Sequence, residues 1–380
     1  MPVRPTFPGV YIEEVPSGVR TIVGVATSVG AFIDYFARGP MNRAIQIFSF
    51  ADLEREFGGL DAFSEASYAI QQFFLNGGTE AYVVRTGNSF ATANIDLLDE
   101  TPANSLHVTA GRLIKGVSVD DPGTWGNFVR LDVDYDTTDP NTLFNLTVSE
   151  VSSSGTQPVL RAETFRNLTM SAGVPNSAVD VVNEGSRIVQ ISSLGGGSPA
   201  QTGTVGTALS LTLGTIAVPF QCFAAINGGT QFPVNLGPIA PTTSQQARTF
   251  LEAALRAANP NDPRYTNATV QLIGDRLRVL TGRVGATPGS AFDPDTTIAF
   301  TENLGNTAAA LGLLGVTPNV QQYSLGGTAL GFQTTPIAGA NGGNNGNRPN
   351  ANDIIGVRAN KTGLFALEDV DIFNILCIPR

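Results

Sequence analysis

The spacing of hydrophobic and polar positions changes several times along the chain. Near the start, Val10 and Ile12 alternate with Tyr11 and Glu13, the two-residue period of a half-buried strand. Pro8-Gly9 and Pro16-Ser17-Gly18 break the chain on either side. A strand isolated in this way carries unpaired N–H and C=O groups and needs a partner from elsewhere, so residues 1–20 read as an extended arm. Residues 21–36 open with a β-branched apolar run, as in a buried strand. A short strand, Ile45 to Phe48, precedes a helix that Ser49 caps, with Asp52 in the capping-box position and Gly58-Gly59 at the end. The clearest helical period covers residues 64–78, where Ala66, Ala69, Ile70, Phe73 and Phe74 share a face and Asn76-Gly77-Gly78 ends it. A strand comes next at 80–87. This strand–helix–strand order predicts an α/β layer with parallel pairing over 21–100.

From 101 to 337 the pattern is mostly strand and turn. Val129, Leu131, Val133 and Tyr135 alternate with polar residues, and 275–282 alternates too. A helix is expected over 244–259, with Ala247, Phe250, Leu251, Ala254 and Leu255 on one side, and a weaker one near Asn303–Leu314. Two inserted β-rich domains are expected, 101–200 and 201–337. A Gly/Asn linker occupies 338–352, and 353–380 returns to α/β character. There Ile372, Phe373, Ile375, Leu376 and Ile378 form a nearly continuous apolar run, as in a strand covered on both faces. No covering helix comes after it, so the expectation is an α/β domain that is incomplete in this chain: either a fragment, or a subunit completed by another chain. The fold class expected is α+β: an α/β core layer with parallel strands, inserted β-rich domains and an N-terminal extended arm. Between Arg187 and Arg248 no charge occurs, but Leu209, Leu211 and Leu213 alternate with Ser210, Thr212 and Gly214, and Pro219 and Gln221 interrupt the apolar residues beyond them. That is strand patterning, not a membrane helix.

Composition narrows the function. Charged residues make up 14% of the chain, against roughly 25% in an average soluble protein, which favours a surface covered by other subunits. A net charge of −10 does not attract a phosphate backbone, so no nucleic-acid partner is expected. The N-terminus has no apolar signal region, so a protein of this kind found outside cells would leave by lysis or another route. Cys222 and Cys377 lie in apolar runs and read as buried thiols. His107 is the single histidine, which excludes schemes that need more than one imidazole, multi-histidine zinc sites among them. No glycine cluster has the ending of a phosphate loop. Asp132, Asp134 and Asp136 share a strand face, but an EF-hand loop starting there would need glycine at 137 and glutamate at 143, where Thr137 and Leu143 stand. No catalytic, cofactor or metal residue is expected, and the chain reads as a non-enzyme.

The stretches PGVYIEEVPSGVRTIVGVATSVGAFI (8–33), FSFADLEREFGG (48–59), YAIQQFFLNGGTEAYVVR (68–85), DPGTWGNFVRLDV (121–133), ETFRNLTM (163–170) and LEDVDIFNILCIP (367–379) resemble contractile tail sheath proteins in order and spacing. These form the outer cylinder of contractile phage tails and bacterial contractile injection systems. The resemblance implies a structural subunit that stacks as hexameric rings around an inner tube protein, with baseplate and terminator or cap proteins as further partners and no membrane insertion. Assembly would take place in the bacterial cytoplasm, and the product would be a phage tail or an extracellular particle. The domain 201–337 would be the variable, outward-facing part, and the family's C-terminal segment is expected to be missing after residue 380. The arm residues Val10, Tyr11, Ile12, Glu13, Glu14 and Val15 would add a strand to a neighbouring subunit. Gly18, Gly342, Gly343 and Gly346 are hinge candidates, because glycine absorbs dihedral change at little steric cost. A surface or adhesion domain and a nucleotide-binding α/β protein are the alternatives.

Overall fold

The computed structural model describes residues 28–114, 116–153, 158–210, 220–282, 295–303, 305–326 and 342–379. The fold is mixed α+β, and its first body is an α/β layer. Strand Val29–Asp34 is buried along its whole length. It pairs in parallel with Glu80–Arg85 on one side and with Ile375–Cys377 on the other. Ala44–Ile47 adds antiparallel beyond Glu80–Arg85. Helices Phe50–Phe57 and Glu65–Leu75 cover one face, where Phe32, Phe36, Leu53, Phe57, Ile70 and Val83 form a core. A 3₁₀ segment, Gly363–Asp369, covers the other, placing Ala366 and Leu367 against Ala31, Ile33 and Val84.

Local chemistry explains the helix ends. Ser49 caps Phe50–Phe57 by accepting from the Asp52 N–H, and Gly58, at φ 93°, closes it. The Asp52 carboxylate bonds the Phe48 N–H, one residue before the capping-box position. Ser64 caps Glu65–Leu75. Buried Asp34, at the end of its strand, accepts from the Ala66 N–H at 2.9 Å and from the Ser64 hydroxyl at 3.3 Å. A carboxylate therefore sits where the helix N-terminus favours negative charge. Burial outweighs those bonds and raises its pKa above the ordinary carboxylate value.

The middle body is two antiparallel sheets around one core. One sheet orders Val159–Leu168, Phe144–Val151, Val129–Asp134 and Tyr323–Ser324; the other orders Val189–Ser193, Asn104–Ile114 and Asn94–Leu98, with Val117–Asp120 paired to Asn104–Ile114. Ile95, Leu106, Val108, Leu131, Val133, Leu146 and Val148 lie in that core, all fully buried. The third body packs helix Ser244–Ala258 with two three-stranded sheets, around Cys222, Leu251, Leu255, Val270, Leu277 and Phe300. Arg278, 2% exposed, reaches from it to the middle body, bonding Asp132 at 2.5 Å and the Thr202 carbonyl at 2.6 Å.

Several expectations need adjustment. Asn94–Leu98 pairs within the middle body, so the α/β layer gives way before residue 100. Tyr323–Ser324 rejoins the middle sheet before 337. Asn344–Asn347, expected as linker, is a strand paired with Asn88–Ala91, and Asn350 caps a helix at Ala351–Ile355 with a full capping box. The terminal run does form a parallel strand, but it is not covered on both faces: Ile375 and Leu376 are 46% and 45% exposed. The weak helix near 303–314 shortens to Thr307–Ala310.

Candidate assembly surface

Among the described residues the central sheet is open. Its order is Ala44–Ile47, Glu80–Arg85, Val29–Asp34, Ile375–Cys377, and neither outer strand has a further partner among the described residues. A free edge presents N–H and C=O groups that pair readily with another extended chain. Large apolar side chains are exposed on the same body: Phe48, Phe63, Tyr68 and Leu75 around the helices, and Ile372, Ile375, Leu376 and Ile378 along the terminal strand. Scattered apolar exposure is ordinary, but a concentration beside an open edge marks an interaction surface.

Behind this sheet lies a buried charged joint. Arg85, fully buried at the end of its strand, donates Nη1–H to the carbonyls of Gly39 at 2.5 Å and Pro122 at 2.7 Å. Asp121 lies 3.5 Å from the same nitrogen. Its Oδ1 accepts from the Gly39 N–H at 2.6 Å and the Trp125 indole N–H at 3.2 Å. The Arg85 guanidinium also stacks 4.6 Å from the Phe90 ring centroid, which occupies one of its faces. Burial lowers the Arg85 pKa to about 10 and raises that of Asp121. Next to them Arg38 covers the Trp125 ring at 4.5 Å and forks onto Glu150 at 2.9 and 3.3 Å, while Arg161 reaches Glu150 at 2.6 Å. The α/β layer and the middle body thus meet through buried ion pairs.

The stretch DPGTWGN supplies the middle body's side of that joint, and the Gly/Asn run is fastened to it. The Asn127 side chain accepts from the Gly343 N–H at 2.6 Å and donates to the Gly343 carbonyl at 3.1 Å. The Asn345 side chain accepts from the Thr124 N–H at 2.7 Å. A Cβ at Gly343 would lie 2.0 Å from the Gly123 oxygen, and one at Gly346, where φ is +65°, would lie 2.5 Å from the Asn88 oxygen. Close approach accounts for both glycines, which in this conformation act as a clamp. Gly342 has ordinary space around it. Gly18 and the arm residues Val10–Val15 lie outside the described residues.

The remaining sequence candidates are wired into the fold. Asp132 holds Arg278 and the Thr202 hydroxyl, and Asp134 accepts from Asn145 at 2.7 Å. His107 pairs with Asp96 at 2.5 Å. Burial pushes the Cys222 thiol up to about 12, and it also raises Cys377, with a smaller contribution from Asp34. Low-pKa thiolates, the reactive kind, need the opposite shift. Among the described residues no three His, Cys, Asp or Glu side chains are grouped to hold a metal ion. No helix among them is long and apolar enough to cross a membrane. Sequence reading missed Arg85 and Asp121 as partners. An arginine ending an apolar strand was a usable signal for Arg85.

No protein-family model matches the chain, and no curated protein matches it. Solved structures similar to it include one from Desulfitobacterium hafniense and one from Listeria innocua. Both are sheath tail proteins. The first is 17% identical with a TM-score of 0.29, over 50% of this chain and 36% of that one. The second is 14% identical with a TM-score of 0.31, over 62% of this chain and 40% of that one. The match spans well under half the length of either, so a functional reading stands on the residues and geometry of this chain.

Proposed function

We propose that the chain is a structural subunit of a contractile tail sheath. It polymerises as a helical stack of hexameric rings around an inner tube, and contraction drives the tube through a target envelope. The observation that carries this reading is the open α/β sheet, with exposed apolar residues along its terminal strand, in a chain whose sequence begins with an isolated strand pattern. A strand donated head to tail to the next copy is a heterologous contact that need not close, and repetition makes a helical lattice. Partners on this reading are other copies, the inner tube protein, and baseplate and cap proteins; the setting is a phage tail or an extracellular particle. No residue has to do covalent chemistry. The work comes from two packings of the same subunits that differ in free energy, summed over many contacts. Electron microscopy of the purified chain tests this. Ribbed cylinders or stacked rings are expected; isolated particles at all concentrations would contradict it.

A further inference from the structure

The middle and third bodies face one another across a polar cleft of about 660 Å³. Loops 99–101, 140–141 and 197–201, on the middle body, wall one side together with Tyr135. The turn joining Thr269–Ile273 to Arg276–Leu280, on the third body, walls the other. A Cβ at Gly274 would lie 4.0 Å from Pro140, so the two sides touch there. The walls are fastened within the fold. Asp99 accepts from the Thr101 N–H and hydroxyl and from the Ala103 N–H through Oδ1, and from the Gly197 N–H through Oδ2. Tyr135 donates its hydroxyl to the Pro199 carbonyl at 2.9 Å, and its side chain stays half-buried. Asn319 donates to the Gln201 carbonyl at 2.8 Å. Ligand sites are usually preformed in this way and measure roughly 300–1,000 Å³.

We infer that this cleft binds a neutral sugar. Most small-molecule sites are lined by apolar side chains, whereas here Asn141 and Arg276 offer donors and Glu100 and Asp275 offer acceptors. Gln201, also on the wall, is 5% exposed, and its Nε2 has no hydrogen-bond partner among the described residues. Buried amide groups are bonded in the great majority of cases, so this donor calls for an acceptor from a ligand. Three classes of ligand can be compared. An anion only accepts, and it would face Asp99, Glu100 and Asp275 against the single cation Arg276. An ammonium group would suit those acids, but it only donates and leaves the Gln201 amide unbonded. The acids are not grouped to hold a metal ion. A sugar hydroxyl both donates and accepts, which suits walls of both kinds, and the apolar face of a sugar ring can lie on the Tyr135 ring. No residue of the α/β layer lines the cleft, so the site is independent of the assembly reading above.

Saturation-transfer difference NMR on the full chain tests this. The probes are neutral disaccharides of glucose, galactose, mannose and N-acetylglucosamine, with digalacturonic acid as the anionic control and spermidine as the cationic one. Transfer to at least one neutral disaccharide is expected. It should weaken at least fivefold in an Asn141→Ala/Arg276→Ala chain, which loses two donors, and again in a separate Glu100→Ala chain, which loses an acceptor. All three positions are exposed, and an unchanged melting temperature checks that each variant folds. Transfer to no neutral sugar, transfer to a control instead, or equal transfer in the parent and both variants would overturn the site. A free sugar and a surface glycan share this chemistry. Displacement of the bound disaccharide by a soluble polysaccharide of the same sugar assigns the site to a glycan, and failure to displace it assigns the site to a free sugar; either result supports the cleft as a sugar site.

Discussion

Asp121 shows what one carboxylate does at a buried joint. It faces the Gly39 N–H, the Trp125 indole N–H and the Arg85 guanidinium. A buried ion pair adds little net stability as a pair, yet removing one partner leaves an uncompensated charge. Asp121→Ala should therefore lower unfolding stability by about 3–5 kcal/mol, read as a drop in the urea midpoint at unchanged slope. A loss under about 1 kcal/mol, the size of an exposed pair, would show that the joint is not built as described. Little of this was legible in the sequence. Arg85 and Asp121 are separated by a whole hairpin region, and a one-dimensional pattern records which side chains are polar, not which meet. For the same reason Asp132 looked like one of three carboxylates on a shared strand face, whereas it anchors Arg278 from another body.

At the scale of elements, the sequence was most readable where structure is local. Ser49, Gly58 and Ser64 bound their helices as capping chemistry dictates, and the apolar face of Glu65–Leu75 packs on the parallel strands as the helical period requires. The reading failed where neighbours decide. The Gly/Asn run has the composition of a linker, but Gly343 and Gly346 are there because another backbone passes against them. Two substitutions separate the roles. Gly343→Ala places a methyl 2.0 Å from the Gly123 oxygen and should cost about 1–3 kcal/mol as overpacking does. Gly342→Ala meets nothing closer than 3.7 Å and should stay within about 0.5 kcal/mol. Equal thermal shifts for the two would contradict the clamp. The terminal strand was expected under cover on both faces, because continuous apolar runs usually are. It lies at a sheet border, and its exposure is a property of the surface that composition along one chain does not encode.

For the whole molecule, the three bodies, buried polar joints and open sheet form one picture. Arg85 and Arg278 fasten the middle body to its two neighbours, while among the described residues the outer strands of the α/β layer have no further partner and several of its apolar side chains are exposed. The low share of charge points the same way: it suits a surface that other copies cover. The mixed α+β class and parallel core were legible from periodicity alone, whereas the place of the third body was not, since the contacts that fix it join residues far apart in sequence. On this picture the first residues link identical subunits. Sedimentation velocity of the chain lacking Pro2–Val15, beside the intact chain, tests it most directly. Large, polydisperse assemblies are expected from the intact chain and folded monomers from the shortened one. Assemblies of undiminished size from the shortened chain would contradict it.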